Sequence, residues 1–493
     1  VFGLFLLVRA AAAGLPDGKD LDRIVHKALQ AWHVPGAAVA VVRDGRVVHL
    51  QGYGVRDQGK SRPVTPDTLF GIASLTKAFT ATALAMLVDE GKVRWDEPVR
   101  KHVPFFRLAD PLADEGVTLR DLLCHRTGLA AHDRLWQHAP WSLEETVRRA
   151  GFLKPAHPLR AAYEYNNIMY VAAGFAVASP SQSPWHRFVR RRIFRPLGMS
   201  GAAFTKSDVL KSTDYARPHR VGPDGRAEVL PWYEDDRQIR ASGSIKASAR
   251  HLAEWMRFQL GDGTWKGQRL VSAAALAETH TPQVVVPLKG LQRRLYPDTQ
   301  QMSYGLGWLI HDYRGHLCRA HSGATEGFRA HLVLVPRARL GVVVLANAEA
   351  GSGLASLPLA AANELLDLLL GLPRRDWNAY YASVARQADA ESRAKAAARQ
   401  ARRRRGTKPS RELAAYAGIY EEPAYGRATV AVEDDRLAVR WSRARGRLEH
   451  FHLDTFDVKG DALIADEQAV FHLGLGGDVA SMDFLGVRFR KKK

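Results

Sequence analysis

Phe70-Gly71-Ile72-Ala73-Ser74-Leu75-Thr76-Lys77-Ala78-Phe79-Thr80 places a serine at the mouth of an apolar helix and a lysine three residues later. Residues three apart on a helix share a face, so the Lys77 amine can stand beside the Ser74 hydroxyl. A serine is a poor nucleophile until a base takes its proton, and a lysine serves if its pKa is depressed. Moving a lysine from about 10.4 to neutrality takes roughly 3 pKa units, about 4 kcal/mol. Burial or a second nearby cation supplies such a shift, and the Ala, Phe, Leu, Met and Val that follow Lys77 favour burial. The spacing alone is weakly specific. Ser392-Arg393-Ala394-Lys395 repeats it inside a charged run, so the surrounding chain has to discriminate.

Working outward, the helix after Lys77 stops at Gly91, a good C-terminal cap after Asp89-Glu90. Upstream, Leu21, Ile24, Val25, Ala28, Leu29 and Trp32 have helical spacing, ended by Val34-Pro35-Gly36. Ala37 to Val42 reads as a buried strand, Asp44-Gly45 as a hairpin turn and Arg46 to Tyr53 as its partner. Downstream, Val117 to Leu129 reads as a short capped helix, with His125 a structural residue at its end. Further helices are expected over Trp141 to Ala150 and Ile168 to Val177. A third opens at Ala241-Ser242-Gly243-Ser244-Ile245-Lys246 and runs on through Leu252, Trp255, Met256 and Leu260. Strands follow from Tyr304, around His316 to His321, His331 to Pro336 and Leu340 to Asn347. The last is an uninterrupted apolar run suited to a strand buried on both faces, and a helix over Leu354 to Leu370 closes the domain. The implied class is α/β: one antiparallel sheet, shared by both ends of the domain and flanked by helices, plus an all-helical region.

With 493 residues and 46% apolar content, the chain has room for two or three domains. The predicted boundaries are a signal segment at 1–13, a catalytic domain at 14–375, a basic linker at 376–412 and a β-domain at 413–493. Phe2 to Val8 followed by Ala10 to Ala13 resembles an export signal, which places the protein in the periplasm or outside the cell. A net charge of +20 favours anionic surfaces. Residues 389–412 carry nine Lys/Arg against three Asp/Glu, including Arg402 to Arg405; this run is either a solvated connector or a dock for anionic cell wall or membrane. No specific nucleic-acid partner is expected. Cys124 and Cys318 are the only cysteines, which excludes a disulfide framework and a cysteine-rich metal site. Beyond Leu413, strands are expected at Gly418–Glu421, Ala428–Glu433, Arg436–Trp441, Leu448–Leu453, Phe456–Lys459, Ala462–Ala465, Ala469–Leu473 and Val479–Phe489, a small all-β barrel or sandwich.

Two further fragments bear on Ser74 and Lys77. Tyr165-Asn166-Asn167 supplies a phenol as second base or proton relay, with a phenolate stabilised by a lysine ammonium. Asn167 adds an amide for a substrate carbonyl or for Lys77. Taken alone, the fragment reads more readily as a core aromatic before a turn-forming Asn pair. His321-Ser322-Gly323-Ala324 enters the strand section, where glycine lets another backbone come close.

Ser74-Leu75-Thr76-Lys77, Leu122 to Leu129, Tyr165-Asn166-Asn167, Pro196-Leu197-Gly198-Met199, Tyr304 to Trp308 and His321-Ser322-Gly323 match, in type and order, the penicillin-recognising serine hydrolases. The resemblance is specifically to the class C β-lactamase-like branch, from about Pro35 to Leu370, and the C-terminal part resembles the lipocalin-like β-domain that follows some of these hydrolases. The resemblance implies acyl transfer without metal or organic cofactor on a small-molecule or short-peptide substrate. Ser74 would attack, Lys77 and Tyr165 would share acid–base work, and the backbone N–H groups of Ser74 and Ala324 would form an oxyanion hole. Asn167, His321, Gly323 and Ala324 would bind substrate. One departure matters. The β-lactamase pattern has Lys-Thr-Gly where this chain has His321-Ser322-Gly323, and a histidine is largely uncharged at neutral pH. That favours a D-amino-acid peptide or an ester over a β-lactam.

Overall fold

The computed structural model describes residues 16–137, 140–232, 237–350 and 355–492, so the expected signal segment lies outside the described residues. Its first layered unit is built on eight strands: β1 (Gly36–Arg43), β2 (Arg46–Gly54), β3 (Val284–Val285), β4 (Met302–Tyr304), β5 (Leu309–Tyr313), β6 (His316–Thr325), β7 (Phe328–Val335) and β8 (Leu340–Ala346). The helices that matter for the site are α1 (Gly18–Trp32), α2 (Thr76–Asp89), α3 (Asn167–Ser181), α4 (Ala249–Gln259), α5 (Leu357–Leu369) and α6 (Trp377–Ala401).

The sheet runs in the order β2-β1-β8-β7-β6-β5-β4-β3. Ala37 pairs with Ala346 and Arg43 with Leu340, so the start and the end of the domain meet at the β1–β8 seam. Successive side chains of a strand point to opposite faces, and an apolar residue at every position therefore needs a cover on both. Ala37, Val39 and Val41 join Val342 and Val344 in one core with α1 and α5. Ala38, Ala40 and Val42 join Val343 and Leu345 in another with α2, α3 and α4. The expected antiparallel sheet between helical layers is what the chain forms. Cys124 and Cys318 are buried, unpaired thiols in different cores.

One expected helix start is corrected. The segment 241–248 is not helical: it turns, pairs Lys246 with Gly71 across a two-residue ladder, and α4 begins only at Ala249. Ser248 caps that helix, accepting from the His251 N–H at 3.2 Å, and its hydroxyl competes with any helix running through it.

The stretch 376–412 holds α6, a 25-residue helix. Its first turns are buried on α1 and α5 through Trp377, Asn378, Tyr381, Val384 and Ala385. Ser392 and Lys395 lie on its exposed part. Past its end the Arg403 guanidinium donates to Phe451 O at 2.7 Å and His450 O at 2.9 Å, tying part of the arginine run to the second unit.

That unit is a closed barrel of β9 (Gly418–Glu422), β10 (Gly426–Glu433), β11 (Arg436–Trp441), β12 (Ala444–His452), β13 (Thr455–Gly460), β14 (Gln468–Leu473), β15 (Val479–Phe484) and β16 (Val487–Lys491). Tyr420 pairs with Lys491 to shut the ring. Tyr416, Tyr420, Trp441, Phe456, Phe471 and Phe489 are buried together within it, as expected for a barrel of eight strands filled by side chains. Two strand expectations change. Residues 462–465 form a turn, with Leu463, Ile464 and Ala465 N–H groups all donating to Asp461. Residues 479–489 fold back as a hairpin at Leu485-Gly486, both at positive φ.

The joint between α5, β5 and α6 rests on Asp367, a carboxylate with no exposed surface. It accepts from the Tyr313 hydroxyl (2.7 Å), the Arg314 guanidinium (2.7 Å) and the Trp377 indole N–H (2.8 Å). Breaking a buried pair by removing one partner costs roughly 3–5 kcal/mol. Asp367→Ala is therefore expected to lower the thermal midpoint by several degrees in scanning calorimetry, with soluble protein still recovered at low temperature.

Candidate active site

Ser74 lies in a 3-10 turn, Ala73–Leu75, that runs directly into α2. Ala73 adopts φ +45°, a region an L-residue enters at a cost of about 1–3 kcal/mol. Neighbouring backbone holds it there. Ile72 N–H donates to Ile245 O at 3.1 Å, and Ile245 N–H donates back to Thr76 Oγ1 at 3.2 Å. Thr80 Oγ1 donates to Ala241 O at 2.7 Å, so residues 241–245 run along the first turns of α2.

Lys77 has no exposed surface. Its Nζ lies 3.1 Å from Ser74 Oγ, 2.8 Å from Asn167 Oδ1 and 2.9 Å from Ser242 O. Burial lowers its pKa to about 7, opposed by the Asp133 carboxylate. A neutral amine has two N–H groups and one lone pair. The Ser242 carbonyl only accepts, and Asn167 presents its carbonyl oxygen, so these two take the N–H groups and leave the lone pair facing Ser74.

Tyr165 completes this corner. Its ring centroid lies 4.7 Å from Lys77 Nζ. Burial pushes the phenol above its ordinary value, and the Ser74 side chain only partly offsets this. The phenol therefore keeps its proton at neutral pH. Asn166 is a cap, its Oδ1 accepting from Ile168 and Met169 N–H at 2.8 and 3.2 Å. Asn167 is the member of the pair that faces Lys77.

The β6 strand forms the opposite wall. A Cβ on Gly323 would sit 2.2 Å from Ile72 O and 3.2 Å from Leu75 Cδ1. Glycine here lets β6 press against the turn that carries Ser74. Ala324, next along, is exposed and pairs with Arg329. His321 is buried; its Nδ1 donates to Ser322 O at 2.7 Å, so Nε2 accepts from the Tyr304 hydroxyl at 2.9 Å. Burial, then the nearby Lys77, lowers its pKa to about 3. It carries no charge at neutral pH.

His125 sits behind Tyr165, ring centroids 4.3 Å apart, also facing Tyr163, Tyr170 and Tyr304. Its Nδ1 accepts from Asn166 N–H at 3.1 Å, and burial holds its pKa well below the usual value. It supports the Tyr165 segment from within the core.

Two contributors were missed in the sequence. Ser242 acts through a carbonyl, which no residue type announces, although Gly243 and the Ser248 cap argued against a helix there. Asp133, bonded to Asn167 Nδ2 at 3.1 Å, is a lone acid in a loop with no motif around it.

The sequence model of the family described as Beta-lactamase matches residues 21–366, and one described as Domain of unknown function (DUF3471) matches 402–492. Unguisins hydrolase ungD of Aspergillus violaceofuscus (strain CBS 115571) is 32% identical over 443 residues, covering 83% of this chain and 76% of that protein. The octameric penicillin-binding protein homologue of Pyrococcus abyssi superposes with a TM-score of 0.62 at 23% identity, over 96% of this chain and 99% of that one. A D-stereospecific amidohydrolase from Streptomyces sp. gives 0.56 at 22% identity, over 73% of this chain and 100% of that one. These structures share the fold, and the match over 21–366 shows that the chain belongs to the beta-lactamase family.

Proposed function

We propose that this protein is a serine hydrolase that cleaves a small amide or ester through an acyl-enzyme on Ser74, with a D-amino-acid-containing peptide as the leading substrate class. The observation that carries this reading is the buried Lys77 amine, whose lone pair is left to Ser74 by the two acceptors opposite. The Ser74 proton passes to Lys77 Nζ as Oγ bonds to the substrate carbonyl carbon. The oxyanion is received by the backbone N–H groups of Ser74 and Ala324, each such donor contributing roughly 3–4 kcal/mol. Lys77 returns the proton through the Tyr165 hydroxyl to the leaving nitrogen or oxygen as its bond to carbon breaks. Water then adds to the acyl group, its proton retracing the path, and the acid departs from Ser74.

Neutral His321 supports the substrate class. It offers no fixed cation for the carboxylate of a penicillin or cephalosporin, so a peptide or ester suits the site better. The name of the fungal relative supports hydrolysis, and that of the D-stereospecific amidohydrolase supports an amide substrate and a D-residue preference. Export, and docking of the basic stretch on an anionic cell surface, belong to the same proposal.

Turnover of D- and L-aminoacyl anilides, p-nitrophenyl esters and nitrocefin tests it, beside labelling by a fluorophosphonate. Ser74→Ala should abolish labelling and turnover while Ser392→Ala leaves both unchanged; full labelling of Ser74→Ala would overturn the assignment. A stable acyl-enzyme by mass spectrometry without turnover on any substrate would replace hydrolysis with a sensor role. The pH dependence is a second check. Only deprotonated Lys77 accepts the Ser74 proton, so labelling should rise with pH through about 7 and level off above it. A rate independent of pH between 6 and 8 would contradict the role given to Lys77.

A further inference from the structure

Asn167 holds Lys77 by one end of its amide, and an amide has two unlike ends. With the carbonyl oxygen towards Lys77, it accepts an amine N–H. Rotated by half a turn, it would aim its NH2 at Lys77, repelling an ammonium or occupying the lone pair of a neutral amine. Asp133 decides between them. Its carboxylate only accepts hydrogen bonds when ionised, and Oδ1 takes Asn167 Nδ2 at 3.1 Å. The same oxygen accepts the Trp136 indole N–H at 2.8 Å, fixing the carboxylate.

The turn that carries Asp133 is gripped from the barrel. His132, at φ +44°, precedes it, and the Tyr425 hydroxyl and His132 Nδ1 lie 3.0 Å apart in a hydrogen bond. On the other side Arg134 pairs with Glu467 at 3.0 Å. Tyr425 is itself buried in the β9–β10 turn, where Trp441 Nε1 donates to its carbonyl at 2.9 Å. Arg149 adds a clamp, donating to Ala424 O at 3.2 Å and lying 4.4 Å over the Trp141 ring. A run of direct contacts thus leads from the barrel to the Ser74–Lys77 pair: Tyr425, His132, Asp133, Asn167, Lys77.

We propose that Asp133 is a positioning residue that locks the Asn167 amide in the orientation leaving the Lys77 lone pair to Ser74, and that the docked barrel holds Asp133 in place through Tyr425 and Glu467. This rests on the reading of Ser74 and Lys77 given above. Asp133 also acts through space, since it opposes the lowering of the Lys77 pKa. The other ionisable groups facing Lys77 are His125, His321, Tyr165 and Tyr170, and those facing Asp133 are His132, Tyr165 and Tyr425.

The test uses the full-length protein and the second-order rate of fluorophosphonate labelling between pH 5 and 9, which needs no knowledge of the substrate. Asp133→Ala frees the amide and should slow labelling on the plateau tenfold or more. Asp133→Asn keeps the shape but removes the charge, so the acid inflection should move to lower pH, a change that loss of packing alone would not produce. Tyr425→Phe combined with Glu467→Gln should slow labelling several-fold with the barrel still folded by circular dichroism. A plateau rate for Asp133→Ala within twofold of the parent, or an unmoved inflection in Asp133→Asn, overturns the role of Asp133. Parent rates in the double variant overturn the role of the barrel. Labelling that persists in Ser74→Ala marks failure of the underlying reading instead.

Discussion

A lysine amine enclosed by protein is the constraint around which the site is built. Bringing Lys77 from 10.5 to about 7 corresponds to a burden on the order of 5 kcal/mol on its charged form. Removing the amine from water leaves each N–H to be satisfied inside. The Asn167 side chain and the Ser242 carbonyl do so and the Ser74 hydroxyl meets the lone pair, from three separate parts of the chain. Any shift of α3 or of residues 241–245 relative to α2 would strand a donor in a dry interior, where an unmet hydrogen bond is expensive. The lysine thus holds together the elements that surround it.

The sheet meets that demand by position. Because β1 and β8 are apolar on both faces, helices must cover both, and α2 is among those pressed against one of them. The same sheet contains β6, whose Gly323 lets the strand approach Ile72 O as no larger residue could. Burial of α2, the strained Ala73 and the close approach of β6 are consequences of one packing arrangement.

Much of this was legible in the chain, for identifiable reasons. Continuous apolar strands, an Asp-Gly hairpin and a glycine ending α2 are strong local signals, and Ser74, Lys77, Tyr165 and Asn167 are residue types whose chemistry is visible in one letter. The structure gathers these four. What escaped was carried by backbone or by long-range pairing. Residues 241–246 read as helix because their apolar spacing continues into α4, whereas their carbonyls are used by Lys77 and Thr80. The barrel hairpin at Leu485-Gly486 was invisible because a leucine at φ +56° gives no turn signal. Asp133 and Tyr425 are 292 residues apart in number, and only the docked barrel relates them.

The ionisation pattern around Lys77 has a common cause. Burial drives bases and acids in opposite directions. It pushes His125 and His321 well below neutrality and lifts the phenols of Tyr165, Tyr170 and Tyr304 above their usual range. The amine starts high enough that the same burial brings it to about 7 rather than past it. Among these neighbours, Lys77 is therefore the group that exchanges a proton near neutral pH, while the phenol of Tyr165 remains a carrier with its proton in place. A histidine in the position of Lys77 would be neutral far below pH 7 in this environment and too weak a base to draw a proton from a serine. On the proposed mechanism, a dry site of this kind suits a lysine, and the carboxylate of Asp133 keeps the amine basic enough to act.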